Sequence, residues 1–379
     1  MVNSNANAIG IIFPNSYDNL VPELAGDRLM ASIPFAGRYR IIDFLLSSLA
    51  NCGISNIAIV VRENYHSLMD HLGSGRAWDL LRKNGGLSIF PPYAEKNMKV
   101  YSGRVEALES ILPYLKSKKE KYVIMMDANI AVDFDFNAML AEHIESGADV
   151  TVAYTEQEIP AELIRAGSHG DMYYTLKLDD GRVRRIFMNS EMCGKQNLSM
   201  NIYIMDREAL IDKIHAAFVR GSSCFERDIL APRLEKYNIR GYKYDGYYAR
   251  ICGLKSYFDE NMKLLDDENL DALFTGGQIY TKIRDDNPTR YINGCKTKNN
   301  LVADGCVIEG DVENCVLFRG VKIAKGAKIR NSVLMQDTVV NAGARLDYVV
   351  TDKNVTIEVG QELKGTDTQP FYVAKGRTV

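Results

Sequence analysis

The sequence predicts an α/β fold: a doubly wound, mostly parallel sheet followed by a C-terminal left-handed parallel β-helix. Three observations carry this. Continuous apolar runs alternate with amphipathic stretches from Ile9 to Tyr154. From about Asn299 to Gly360 the helical period disappears, and apolar residues recur six apart. Between the two patterns lies an acidic and glycine-containing connection, Asp266-Asp267-Glu268-Asn269 and Thr275-Gly276-Gly277. The predicted division is therefore 1–265, 266–298 and 299–379.

Each element has its own signal. Ile9-Gly10-Ile11-Ile12-Phe13 reads as a first buried strand. Ile41 to Ala50 is amphipathic and ends at Asn51-Cys52-Gly53, a helix stop with glycine just past the end. Ile57 to Val61 is a second strand. A helix fits Val105–Lys116, with Val105, Leu108, Ile111, Leu112 and Leu115 on one stripe. Tyr122 to Met126 and Val150 to Tyr154 are further strands, with a helix at Ala138–Glu145 between them. Apolar strands between helices argue a sheet buried on both faces. In the C-terminal part Val302 and Ile308, Ile323 and Ile329, Val333 and Val339, and Val349 and Val355 stand six apart. That spacing marks a triangular coil of three six-residue sides, with glycines 305, 310, 320, 326 and 343 at corners.

The composition excludes several classes. With 46% hydrophobic and 25% charged residues the chain is an ordinary globular protein. A net charge of −3 points to neither nucleic acid nor a membrane surface. The apolar runs fall far short of the ~20 residues of a membrane span. Met1-Val2-Asn3-Ser4-Asn5 lacks the features of a signal peptide. The seven cysteines are scattered and odd in number, so free thiols and a cytoplasmic location are expected. All five histidines precede the β-helix, which argues against an acyltransferase of the β-helix type.

Several stretches carry a resemblance. Phe35 to Phe44, FAGRYRIIDF, is close to F-G-G-K-Y-R-I-I-D-F of bacterial ADP-glucose pyrophosphorylase, a nucleotide-diphospho-sugar transferase-like enzyme of glycogen synthesis. Asn51 to Ile54 resembles its N-S-G-I, Leu198 to Tyr203 its A-S-M-G-I-Y, Phe225 to Leu230 its F-G-K-D-I-I, and Ser256 to Met262 its A-Y-W-E-A-N-M. The resemblance covers essentially the whole chain. It implies a reaction of ATP with glucose 1-phosphate, which needs backbone N–H groups and cations for the triphosphate and carboxylates for Mg²⁺.

At the matching positions those groups are missing. The glycine loop A-G-G-x-G-T-R-L falls on Pro14 to Val21, so its phosphate arginine is Leu20, and Asp18 adds a negative charge. R-A-K-P falls on Arg28-Leu29-Met30-Ala31, so the phosphate lysine is Met30. A-G-D-H falls on Asp127-Ala128-Asn129-Ile130, so one metal aspartate is Asn129. The sugar-phosphate lysine is Asn189, and the second metal aspartate is Arg250. Asp127 and Lys195 are the candidate replacements in a competent enzyme with rearranged ligands.

What persists is the pocket outline. Tyr101 and Gly103 fit Y-R-G-T-A-D-A, although its threonine and aspartate are Arg104 and Glu106. Ser199 and Phe225 fit positions that line the family's sugar pocket, with strand capping and core packing as their structural alternatives. Arg28, Arg38 and Arg40 fall where activator phosphates bind in the family, although Asp27 replaces its activator lysine. The whole pattern is similar to the GlgD-type branch of the family. It implies a catalytically weak or inactive regulatory subunit, with no cofactor of its own where the family uses Mg²⁺. The implied partner is a catalytic GlgC-type homologue in a mixed tetramer, with a homo-oligomer as the alternative. A sugar phosphate or activator phosphate is the remaining small-molecule expectation.

Overall fold

A computed structural model describes residues 7–83, 85–92, 101, 103–167 and 172–379; the N-terminal stretch read for a signal peptide lies outside them. The chain forms two compact units. One comprises Met1–Leu20, Leu45–Ala128 and Phe134–Gly246; the other comprises Val21–Phe44, Asn129–Asp133 and Tyr247–Val379.

The first unit is built on a nine-stranded sheet among the described residues. Its order is Gly86–Phe90, Asn56–Val60, Ala8–Phe13, Tyr122–Asp127, Gln196–Asp206, Val150–Gln157, Ile239–Lys243, Arg182–Met188, Tyr174–Asp179. The first four strands are parallel, as the buried apolar runs predict. Gln196–Asp206 then runs antiparallel to both of its neighbours. Ile239–Lys243 is parallel to Val150–Gln157, and the last two strands form a hairpin. The hairpin turns at Asp180 and Gly181, both at positive φ (49° and 70°), the two-residue turn that joins antiparallel strands. So the doubly wound sheet is parallel in one half and mixed in the other.

Ile9 and Ile11 pack into one core with Val105, Leu108, Ile111, Leu112, Leu115, Val123 and Met125. Burying each such side chain contributes about 1.5–3 kcal/mol. Gly10 faces the other side, where an added Cβ would lie 2.9 Å from the Leu49 side chain. The predicted helix over 105–116 is two helices, Arg104–Ser110 and Leu112–Ser117. Pro113 has no N–H to continue the ladder, so the chain breaks at Ile111 while the apolar stripe carries on.

The second unit holds the three-sided parallel β-helix. Lys296 pairs with Asp311, Asp311 with Lys328, Lys328 with Arg345, and Arg345 with Glu362, a step of 15 residues and then of 17 each time. The coil is thus shorter than three six-residue sides. At one corner Asn299, Asn314 and Asn331 have φ of 51°, 53° and 43°. Their amides form a ladder: Asn299 donates to Asn314 (3.0 Å), Asn314 to Asn331 (3.4 Å), and Asn331 to Asp347 (3.0 Å). At another corner Gly305 and Gly320 stack so closely that a Cβ on Gly305 would lie 3.3 Å from the next backbone nitrogen. Inside lie Ile308, Val312, Leu317, Ile323, Ile329, Val340 and Val355. The tail adds the last coil, with Phe371–Val373 parallel to Val349–Thr351 and Val379 N–H bonded to Thr356 O at 2.9 Å. All seven cysteines are free, and no helix of the described residues is long and apolar enough to cross a membrane.

Candidate functional site

In the first unit a cavity of about 340 Å³ opens at the carboxyl ends of Ala8–Phe13 and Tyr122–Asp127. This is where open α/β sheets bind ligands. The turn after Phe13 shapes one wall, and several of its side chains are bonded to the protein itself. Asn15 accepts from Arg62 N (2.8 Å) and donates to Asp18 (2.7 Å). Ser16 donates to Asp127 Oδ1 (2.7 Å), and Tyr17 donates to Met172 O (3.0 Å). Leu20 closes a short 3₁₀ turn and is buried.

The centre of the cavity wall is a buried charge cluster. Arg104 Nη2 lies 2.7 and 2.8 Å from the two oxygens of Asp127, and its Nη1 is hydrogen-bonded to Glu226. The guanidinium sits over the rings of Phe13 and Tyr203, 5.1 and 5.5 Å from their centroids. The side chains of Arg104, Asp127 and Glu226 are 11%, 1% and 5% exposed. Asn201 donates to Asp127 Oδ2 (2.9 Å), so each Asp127 oxygen accepts two hydrogen bonds. Burial alone would lower the Arg104 pKa, but Asp127 and Glu226 outweigh it and hold the guanidinium charged. Burial pushes the Asp127 carboxyl upward, against Arg104 and Ser16. Burial and the Glu226 charge likewise hold Tyr174 and Cys224 in their protonated forms, with Tyr174 Oη 3.2 Å from Cys224 Sγ.

Other candidates take structural positions around this cluster. Ser199 accepts from Asn201 N (3.0 Å) within the bulge between Ser199 and Tyr203. The bulge holds Asn201 at φ 56° and aims its amide at Asp127. Phe225 is wholly buried, packed edge-on to Tyr203 at 5.7 Å. Tyr101 and Gly103 line the cavity; Tyr101 donates to Val61 O, and a Cβ on Gly103 would lie 2.4 Å from Ser223 O. Asn189 accepts from Tyr173 N (3.1 Å) and donates to Gly167 O (3.0 Å), fastening a loop at φ 50°. Lys195 is exposed.

The second unit brings the two metal-aspartate positions together. Ala249–Arg250 pairs antiparallel with Ile130–Ala131, and Ile251 N donates to Asn129 O at 2.9 Å. Both Asn129 and Arg250 are buried, and Arg250 lies over the Tyr248 ring at 5.6 Å. An amide offers one neutral oxygen and a guanidinium none, so this pair lacks the carboxylates through which proteins usually hold Mg²⁺. Asp127, two residues earlier, has its lone pairs occupied. Met30 is fully buried in a 3₁₀ turn.

The three expected activator arginines do not act alike. Arg28 is buried, with Nη2 2.8 and 2.7 Å from the Asp352 oxygens. Arg38 is half exposed, 3.6 Å from Asp304 and over the Tyr39 ring at 5.6 Å. Arg40 adds positive potential at Lys353, whose amine is pushed down to about 7 by burial, then by Arg40 and Arg28.

Sequence reasoning missed the pairing of Arg104 with Glu226. A signal was present. Arg104 stands at a threonine and Glu226 at a glycine of the motifs quoted above. Two new charges of opposite sign at two pocket positions indicate a compensating pair.

Comparison with known proteins identifies the two parts of the chain. Residues 24–265 match the family described as "Nucleotidyl transferase", and residues 285–377 match "GlmU-like, C-terminal hexapeptide". The chain is 33% identical over 374 residues to "Glycogen biosynthesis protein GlgD" of Bacillus subtilis (strain 168), covering 98% of this chain and 97% of that one. The protein of that name in Geobacillus stearothermophilus is 37% identical over the same shares. "Glucose-1-phosphate adenylyltransferase" of Bacillus mycoides (strain KBAB4) is 32% identical over 87% of each chain.

Proposed function

The chain belongs to the nucleotidyl transferase family and, within it, to the GlgD-type glycogen biosynthesis proteins, and from that premise we propose that it is a regulatory subunit with little or no catalysis of its own. It acts with a catalytic glucose-1-phosphate adenylyltransferase homologue, in a mixed oligomer, in ADP-glucose synthesis for glycogen. One observation carries the reading: the acidic groups at the end of the first unit's sheet are neutralised by Arg104 from within the protein. The alternative, a competent enzyme using Asp127 and Lys195, is opposed by the four hydrogen bonds on Asp127 and by the exposure of Lys195. The free thiols fit a reducing, cytoplasmic compartment.

The test has two arms. The purified chain, given ATP, glucose 1-phosphate and Mg²⁺, turns over far below the ~10 s⁻¹ of a typical enzyme. Loss of one charge-stabilising group costs roughly a hundred- to thousandfold, although several losses do not simply add. The catalytic homologue is then titrated with this chain. Its apparent affinity for substrates shifts by roughly 5- to 150-fold, the span of 1–3 kcal/mol of coupling. Ordinary turnover by the isolated chain, or no complex and no change in the homologue, rejects the proposal.

A further inference from the structure

We infer that Arg38, Arg284 and Arg319, in the second unit, form a binding site for one small oxyanion, a carboxylate or a phosphate group, with Arg319 at its floor. The inference does not depend on the partner proposed above, because the isolated chain binds the anion.

A turn and one corner of the coil build the site. Arg38 lies in the tight turn between Pro34–Phe35 and Tyr39–Arg40, where Ala36 and Gly37 have φ of 52° and 76°. Asp304 and Arg319 stand on successive coils at a shared corner, where Gly320 N donates to Asp304 O at 3.0 Å. Arg284 and Asp286 lie in the stretch before the first coil strand, Arg290–Tyr291. Arg28, expected beside Arg38 from the sequence, takes no part because Asp352 holds it.

Arg319 is the exposed weakness of the arrangement. Its side chain is only 4% accessible, yet Nε has no hydrogen-bond partner among the described residues. Its ion pair with Asp286 Oδ2 is 3.7 Å long, and that oxygen also lacks a hydrogen bond among the described residues. Asp286 gives its other oxygen to Arg284 at 3.3 Å. Burial, then the charge of Arg38, push the Arg319 pKa below its ordinary value, with Asp286 opposing and Arg284 adding. A buried cation with an unmet N–H is costly, and a like charge beside it adds to the cost. Three guanidiniums meet two carboxylates, Asp286 and Asp304, which leaves one positive charge over. An oxyanion supplies both the missing charge and the missing acceptors, and guanidinium groups clasp it with paired nitrogens. Arg38 and Arg284 are 44% and 42% exposed, so the mouth of the site is open to solvent while its floor is buried.

Acetate and inorganic phosphate are the probes, each compared with sodium chloride at equal ionic strength on the full-length chain. Calorimetry finds one anion per chain, and the anion raises the melting temperature by mass action. Whichever binds more tightly tells a carboxylate ligand from a phosphate one. Arg319→Met and Arg38→Gln each weaken that binding at least roughly tenfold, the loss of one charge-assisted hydrogen bond. Without the anion Arg319→Met melts no lower than the wild type, because methionine needs no acceptor. Lys353→Gln, a change among the charges of Arg28 and Arg40, binds the anion as the wild type does. Binding no tighter than that of chloride, or binding that survives Arg319→Met, would overturn the inference. So would loss of binding in Lys353→Gln, which would put the anion beside Arg40 instead. An Arg319→Met chain that melts well below the wild type, or does not fold, rejects it as well, since Arg319 would then be the counter-ion that Asp286 needs. Arg38→Gln changes a side chain that is nearly half exposed, so its anion binding is read on a folded chain.

Discussion

Arg28 and Asp352 are 4% and 3% exposed and face each other at 2.7 Å, so neither charge has water to fall back on. Asp352 also accepts from Tyr372 (3.2 Å) and from Lys353 N (2.7 Å). Removing one partner of such a pair costs about 3–5 kcal/mol, mostly because the other charge stays buried. Arg28→Met therefore lowers the urea midpoint sharply. Adding Asp352→Asn, which keeps an acceptor for Lys353 N, recovers most of the loss. A double variant no more stable than the single one would show that charge is not the cause. A reduced effector response in an Arg28 variant thus reports a damaged fold before it reports a lost phosphate contact. Lys353 beside it gives a pH signature. Its folded pKa, about 7, lies below the ordinary 10.5 through burial and the charges of Arg40 and Arg28, with Asp352 opposing and Lys375 adding. Between those values the unfolded chain holds more protons, so stability rises with pH across that window. Lys353→Met flattens the rise. A slope identical in wild type and variant would assign it to other groups.

The β-helix corners separate two effects that usually travel together. Asn331 supplies an amide to the ladder and a backbone at φ 43°. Asn331→Gly loses the amide but tolerates the backbone. Asn331→Val loses the amide and is strained as well, by about 1–3 kcal/mol. Valine should therefore melt lower than glycine, and equal melting points would mean that the ladder alone matters. The sequence shows the coil but not this corner. Apolar spacing finds most of the inward side chains, although Val333 and Val339, six apart, lie outside the coil's core, where Leu334 and Val340 sit instead; asparagines at positive φ recur at steps of 15 and 17 and have no apolar signal. The same contrast runs through the first unit. Ile9–Phe13 and Tyr122–Met126 were legible as strands because buried parallel strands are continuously apolar. The break at Ile111 was hidden because the stripe runs through it unchanged. Arg104 and Glu226 were hidden as a pair because the residues are 122 apart and no local period links them. Asn201 was hidden because its role depends on a bulge that turns an amide toward Asp127.

Across the whole molecule, the division into compact units does not follow the order of the chain. Val21–Phe44 belongs to the same compact unit as the β-helix. Within that unit Tyr372 donates to Glu23 O (2.6 Å), Tyr257 donates to Pro34 O (2.8 Å), and Ala36 N donates to Asn261 Oδ1 (3.1 Å). The helix Leu254–Lys263 packs on the coil strands Asp311–Leu317 and Lys328–Leu334, with Phe258 6.1 Å from Tyr348. A chain ending at residue 265 keeps the whole stretch that matches the nucleotidyl transferase family. It also uncovers the Phe258 side of that helix and leaves Arg28 without Asp352. Exposed apolar surface and an unpaired buried charge are both aggregation hazards. Such a chain should therefore aggregate or melt without a cooperative transition, whereas a stand-alone domain would melt sharply. Supplying residues 266–379 as a separate chain should restore solubility, because it returns both Asp352 and the coil surface. Light scattering and calorimetry on the truncated chain, alone and with that fragment, decide the matter. A soluble 265-residue chain melting within about 4 °C of the full protein, a shift of no more than about 1 kcal/mol, would show that Val21–Phe44 folds without the β-helix.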